Sequence, residues 1–309
     1  MTRILTITTL NYKNFINQQI DLEYRENITY LIYHEMIFMD DFNLPIDGFR
    51  VPGNITCIRF GSKFNQSLNK VKFNDKLTHI YIDGFFNLSL IDVVFPINLE
   101  VLHIIGRYNQ PLHQDVEYNP GEIVVETIKL PQTLMELIID SAFNHSLEDV
   151  KFPDSLEWLE LGWGYDKPLR HCVFPESLQV LIIGNRFDHS LSCVNLPKNL
   201  QMLNIGDCFN QSFDNVKLPE KLDSLILGNC FDQSLENVQL PSQLRVLNIG
   251  NLYNHPLPKL PESIYQLYFG RDFTQPISDS ILQKLIYLQI PESHPDFNTI
   301  NLKYPKLIR

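Results

Sequence analysis

No apolar run in the chain approaches the ~18 residues that a membrane-spanning helix needs. The first ten residues, Met1 to Leu10, lack a continuous apolar stretch and a small-residue cleavage site, so no secretory leader is read there. Basic residues are in short supply: 25 Lys and Arg stand against 36 Asp and Glu, a formal charge of −11. That balance disfavours nucleic acid and anionic membranes as partners, since both reward clusters of Lys and Arg. Cysteine is sparse and its number odd. Cys57, Cys172, Cys193, Cys208 and Cys230 show no metal-ligand spacing, which fits a reducing compartment better than a disulfide framework. A phosphate-binding Gly-rich loop, a Cys-x-x-Cys pair and a nucleophile elbow are all missing. No cofactor or metal is therefore expected, and the chain is read as non-enzymatic.

What is present is repetition. An aromatic residue recurs at Phe42, Phe64, Phe86, Tyr108, Phe143, Tyr165, Phe187, Phe209, Phe231, Tyr253 and Phe273, and eight of the ten intervals are 22 residues. A fixed period overrides the two-domain prior that 309 residues would suggest, because stacked repeats build one elongated body. The expected fold is a β-rich, leucine-rich-repeat-like solenoid of 22-residue units with little helix, since no segment keeps a 3.6-residue apolar period. Residues 1–35 are read as an N-terminal β cap, 36–290 as about eleven to twelve repeats, and 291–309 as the closing cap. The run from Ile28 to Tyr33 is assigned to β structure in the first cap.

Within one unit, Leu222-x-x-Leu225-x-Leu227 reads as a short strand with its apolar side inward. Leu235-x-x-Val238-x-Leu240 reads as a second strand, ended by Pro241. Gly184, Gly206, Gly228, Gly250 and Gly270 follow the first strand, where a side chain or a restricted φ would interfere. The Asn or Asp after each aromatic anchor (Asn43, Asn65, Asn87, Asn109, Asn144, Asp166, Asp188, Asn210, Asp232, Asn254) is expected to satisfy loop N–H groups in its own or the next coil. The Asn-x-Ser triplets at Asn65, Asn87, Asn144 and Asn210 arise from this turn motif and are not read as glycan acceptors. Cys208 and Cys230 share a repeat position but are expected to stay free thiols.

The one 35-residue interval carries 13 extra residues near 113–129. Pro120-Gly121 followed by Glu122-Ile123-Val124-Val125-Glu126 predicts a protruding hairpin. Either it is a tolerated extension or it carries a specific contact.

The consensus Phe-(Asn/Asp)-(Gln/His)-(Ser/Pro)-Leu-x-x-Val-x-(Leu/Phe)-Pro-x-x-Leu-x-x-Leu-x-(Ile/Leu)-Gly resembles the FNIP repeat, a leucine-rich-repeat relative of social amoebae and of giant viruses of amoebae. The resemblance runs from Phe42 to Gly270, and Phe209-Asn210-Gln211-Ser212 through Leu225-Ile226-Leu227-Gly228 is a typical copy. It implies a protein-interaction solenoid located in the cytoplasm, the host's if the source is viral. In giant viruses an F-box, which would deliver a bound protein to a ubiquitin ligase, often precedes the repeats. Its Leu-Pro-x-Glu opening is not present in the first 35 residues.

Because the coil residues repeat, specificity is expected where copies differ. The outward column of the first strand runs Ile37, Arg59, Tyr81, His103, Ile138, Glu160, Ile182, Asn204, Ile226, Asn248 and Tyr268; its neighbour includes Trp158, Met202 and Val246. Arg59, Tyr81, His103, Trp158, Glu160, Ile182, Met202, Asn204, Ile226, Val246, Asn248 and Tyr268 are the candidate partner-binding surface. Arg59, His79, Tyr81, Asp83 and His103 are the only group that resembles an acid–base or metal site, and a surface cluster is the favoured reading. The column Lys72, Val94, Lys129, Lys151, Val173, Asn195, Lys217 and Gln239 is read as a solvated outer face. Binding of a protein partner is the leading functional reading, with self-association as the alternative.

Overall fold

A computed structural model describes residues 4–7, 34–119 and 122–308. The Ile28 to Tyr33 run assigned to the N-terminal cap lies outside them. The chain divides into two compact units, residues 1–156 and 157–309, each built from the same coil.

In the first unit, β1 (Ile4–Ile7), β2 (Glu35–Phe38), β3 (Cys57–Phe60), β4 (His79–Ile82) and β5 (Val101–Ile104) are parallel neighbours in that order. A hairpin of β6 (His113–Asn119) and β7 (Glu122–Thr127) follows, and β8 (Glu136–Ile139) then pairs with β5. The second unit repeats the pattern with β9 (Trp158–Leu161), β10 (Val180–Ile183), β11 (Met202–Ile205), β12 (Ser224–Leu227), β13 (Val246–Ile249), β14 (Gln266–Phe269) and β15 (Tyr287–Gln289), again parallel and sequential. Its two short helices, α1 (Asp279–Leu282) and α2 (Phe297–Lys303), lie near the C-terminus. There Leu288 N–H donates to Leu307 C=O at 3.0 Å, so the tail covers the edge that β15 would otherwise leave open.

In β2 to β5 and β8 to β14 the second and fourth residues are apolar and buried while the third faces outward, as does the first except at the buried Ser224. Parallel register stacks equivalent residues, as in Leu203, Leu225 and Leu247, all fully buried. Parallel neighbours need a long crossover between them, and the rest of the repeat supplies it. The aromatic anchors form a continuous stack inside each unit. Ring centroids are 6.3, 6.1, 6.0 and 6.2 Å apart from Phe42 to Phe143. From Tyr165 to Phe273 they are 6.4, 6.1, 6.0, 6.1 and 6.4 Å apart, the ring planes nearly parallel throughout, within the range of favourable offset stacking.

The Asn/Asp ladder forms as expected. Asn65 N–H donates to Asn43 Oδ1 at 2.8 Å, Asn87 to Asn65 at 3.0 Å and Asn109 to Asn87 at 2.8 Å. In the second unit Asn210 donates to Asp188 at 2.8 Å and Asp232 to Asn210 at 2.9 Å. The next residue reinforces the rung: Gln233 Nε2 also donates to Asn210 Oδ1, at 3.0 Å. His145, His189 and His255 stand at this Gln position, their Nε2 atoms 3.0, 3.3 and 2.9 Å from carbonyls of the preceding coil. These histidines are therefore parts of the coil. The Ser that follows closes the next turn, as Ser234 Oγ does by accepting from Glu236 N–H at 3.2 Å.

Asn210→Ala should cost about 0.5–1.5 kcal/mol, because it removes the acceptor of the Asp232 N–H at an exposed rung of the ladder. Asn210→Asp keeps that oxygen, as Asp188 does naturally, and should hold the urea midpoint close to wild type. Equal midpoints for the Ala and Asp variants would refute the ladder's contribution.

One expectation needs correcting. Leu235-x-x-Val238-x-Leu240 is not a strand. Val238 N–H donates to Leu235 C=O at 3.0 Å, closing a turn whose apolar side chains are nonetheless buried. The spacing of three between Leu235 and Val238 suits a turn that returns both side chains to the core, whereas a strand would put them on opposite faces. Pro241 consequently ends no strand; its carbonyl accepts from Leu244 N–H at 3.1 Å in the turn leading to β13. At Gly184, Gly206, Gly228, Gly250 and Gly270 it is the side chain, of the two reasons expected, that would interfere, because the preceding coil approaches closely. The φ of Gly228 is not in the left-handed region, but an added Cβ would lie 1.9 Å from Gly206 O. The hairpin, the free thiols of Cys208 and Cys230, and the exposed Lys72 to Gln239 column match expectation.

Candidate functional site

All twelve candidate residues occupy outward positions of the parallel strands, and all are half-buried. Side chains at equivalent positions lie side by side in register, each covering the flanks of its neighbours. In the first unit Arg59, Tyr81 and His103 stand in register, and diagonal contacts join them at either end to Glu35 and Glu136 of the adjacent column. Arg59 Nε donates to Glu35 Oε1 at 2.7 Å, and its guanidinium carbon lies 3.8 Å from the centre of the Tyr81 ring. The Tyr81 ring meets His103 edge-on at 4.9 Å, and His103 Nε2 lies 2.8 Å from Glu136 Oε1. The contacts from Glu35 through Arg59, Tyr81 and His103 to Glu136 thus cross β2, β3, β4, β5 and β8, with the Arg59 guanidinium set against the Glu35 carboxylate.

That row is poorly suited to acid–base or nucleophilic work. His103 turns to Glu136, and His79 Nδ1 is 2.8 Å from its own neighbour, Thr78 Oγ1, so the two histidines and Asp83 do not converge on one point. Burial, with the carboxylate of Glu35 adding to it, pushes the Cys57 thiol up to about 11, so it remains protonated at neutral pH. Burial likewise raises the Asp83 carboxyl. Among the described residues no group of three or more His, Cys, Asp or Glu is placed to hold a metal ion. The row can offer a partner one cation-bearing aromatic patch between two carboxylates.

The second unit presents a different row. Glu160, Ile182, Asn204, Ile226, Asn248 and Tyr268 are consecutive register partners, so aliphatic and amide side chains alternate. Beside them Trp158, Val180, Met202, Ser224, Val246 and Gln266 form a more apolar row, within which Ser224 is buried. Tyr268 closes this face, its ring 4.8 Å from Tyr287 and its hydroxyl donating to Gln266 Oε1 at 3.2 Å.

Several more exposed apolar groups escaped the column map. Trp163 is 67% exposed and Phe85 44% exposed, the latter with the Arg107 guanidinium 4.4 Å from its ring centre. Both sit in the short turn between strand and anchor. The signal was available: Trp163 stands where neighbouring copies carry Asn185, Asp207 or Asn229, so a large side chain there departs from the turn chemistry.

Parallel strands one per coil, an asparagine ladder and an aromatic spine define each unit as a leucine-rich-repeat β-solenoid. Residues 165–208, 209–252 and 253–293 match the FNIP Repeat family, and residues 33–106 match the BspA type leucine rich repeat region. FNIP repeats thus cover residues 165–293. Among solved structures it is similar to the giant-virus protein CroV588, described as a novel circular LRR protein, at 26% identity and a TM-score of 0.61 over 84% of this chain and 43% of that one. It is also similar in fold to YopM from Yersinia enterocolitica WA-314, at 18% identity and a TM-score of 0.50 over 84% of this chain and 58% of that one. The chain therefore spans about half the length of these structures. No curated protein sequence matches it. Among the described residues no helix is long and apolar enough to cross a membrane.

Proposed function

We propose that the chain is a non-enzymatic scaffold that holds a partner protein against its outward strand rows. One observation carries this reading: the buried and ladder positions repeat from coil to coil, while the outward positions of the strands do not. A face that needed only solvation would be filled by interchangeable charged residues. Here it bears Tyr81, Trp158, Met202 and Tyr268, types enriched at protein interfaces, on rigid strands that hold them at fixed spacing. The similarity to leucine-rich-repeat proteins supports a scaffold role.

The two rows are tested separately, by Tyr81→Ala in the first unit and Trp158→Ala in the second. In quantitative affinity capture of the tagged chain from its source cells, a specific subset of proteins should fall at least tenfold with one of the variants. Thermal unfolding should stay within a few degrees of wild type, because both side chains are half-exposed. An unchanged set of captured proteins for both variants would sink the proposal. Recovery of only further copies of the chain would replace it by self-assembly.

A further inference from the structure

The hairpin of β6 and β7 replaces a turn without disturbing the coil around it. In neighbouring coils the turn is closed by Val71 N–H to Leu68 C=O, Val93 to Leu90 and Val150 to Leu147, each at 3.1 Å. At the hairpin the same bond survives, from Ile128 N–H to Leu112 C=O at 2.7 Å, although 15 residues now separate these two. Leu112 and Ile128 are 0% and 2% exposed, so the hairpin is anchored in the core at both legs.

Beyond that base no other strand among the described residues pairs with it. β6 and β7 form a two-stranded sheet of their own, so among the described residues each strand keeps one edge without a strand neighbour. Ile123, Val124 and Val125 are 66%, 42% and 41% exposed, three consecutive β-branched residues with no core behind them. Two-stranded hairpins are marginal alone, and a third strand is the usual remedy. The register identifies which backbone groups are available. Leu112 and Ile128 are opposite and hydrogen-bonded, so the alternation of antiparallel pairing makes Gln114–Glu126 and Val116–Val124 the next bonded pairs. The N–H and C=O groups of Ile123, Val125 and Thr127 then point away from β6, along the aliphatic edge.

Charge selects the occupant. Residues 113–127 contain Asp115, Glu117, Glu122 and Glu126 and no Lys or Arg. Antiparallel pairing of β7 with its copy in a second molecule would bring Glu122 of each toward Glu126 of the other, and like charges on paired strands repel. We infer that the open edge of β7 docks an extended, Lys- and Arg-bearing segment of a partner protein as a third strand. Main-chain hydrogen bonds to Ile123 and Val125 supply the pairing, and the carboxylates select for basic side chains. This surface is separate from the strand rows, and its failure would leave that reading intact.

The test uses the full chain and a blocked, fluorescein-labelled decapeptide that alternates Lys with Val, followed by fluorescence anisotropy. Saturable binding is expected. Val125→Pro removes one outward N–H while sparing the bonds to β6, and should weaken binding at least tenfold. Glu122→Lys with Glu126→Lys should weaken it by a similar factor and create binding of the Glu–Val peptide. N-methylation of alternate peptide residues, which leaves the protein untouched, should abolish it. Absence of saturable binding would overturn the proposal, as would equal affinity for the Val125→Pro chain or the N-methylated peptide. A dimer in sedimentation equilibrium that Val125→Pro dissociates would overturn it in favour of self-pairing.

Discussion

Gly228→Ala is expected to destabilise the second unit by about 3 kcal/mol or more, from the addition of one methyl group. The Cβ would lie 1.9 Å from Gly206 O, 2.6 Å from Gly206 C and 2.5 Å from Asp207 Cα. All three are backbone atoms, so no side-chain rotation relieves the overlap, and the two coils must separate locally. That separation works against three sets of contacts: the β11–β12 register, the bond from Cys230 N–H to Asp207 C=O at 2.8 Å, and the 6.0 Å stack of Phe209 on Phe231. In a repeat array each unit is held by its neighbours, so damage at one interface weakens the coils on both sides. Hydrogen exchange should show protection falling first in the coils around residues 206–231. Gly53→Ala is the control, since nothing lies within 4 Å of its added Cβ. It should be neutral or stabilising by about 0.4–1 kcal/mol through the unfolded chain. Indistinguishable urea curves for the Gly228 and Gly53 variants would show that the coils do not approach closely at the glycine column.

How much could be read without coordinates depended on whether the period carried the information. The first strand, the aromatic anchor and the Asn/Asp ladder were legible because each residue's partner is its own equivalent one repeat away. Asn210 needs only Asp188 and Asp232 to be understood, and 22-residue spacing identifies both. The hairpin was legible because Pro120-Gly121 and a β-branched run interrupt the period. Leu235 to Leu240 was misread because three buried apolar residues look alike in a strand and in a turn. Only the Val238 to Leu235 bond decides between them. Arg59, Tyr81 and His103 were visible as a column of residue types, but their joining to Glu35 and Glu136 of the adjacent column was not. Whether His103 turns toward Asp83 or Glu136 is set by rotamers and by packing against Tyr81, which the period does not encode. Trp163 lies outside the strand columns, in a turn where one residue of unusual size is the exposed one.

Leu225→Ala separates the coil from the face most sharply. Leu225 is fully buried and in register with Leu203 and Leu247, each also 0% exposed. Truncation opens a cavity bounded on two sides by neighbouring strands. Those strands cannot close over it without breaking the ladder bonds and the ring stack that fix their spacing, so relaxation should be limited. The cost is expected at about 2–5 kcal/mol, the range for buried Leu→Ala changes, with the upper part favoured by that rigidity. Ile226 is the next residue in the chain and points outward, half-exposed. Ile226→Ala forms no internal cavity and should cost less than about 1.5 kcal/mol. Paired urea denaturation curves read the difference directly. A large separation between the two midpoints confirms that adjacent residues of β12 serve different purposes, Leu225 the stack and Ile226 the outward row. If both variants lost stability equally, the outward row would itself be part of the packed core. Ile226 and its register partners would then have to be withdrawn from the proposed partner surface.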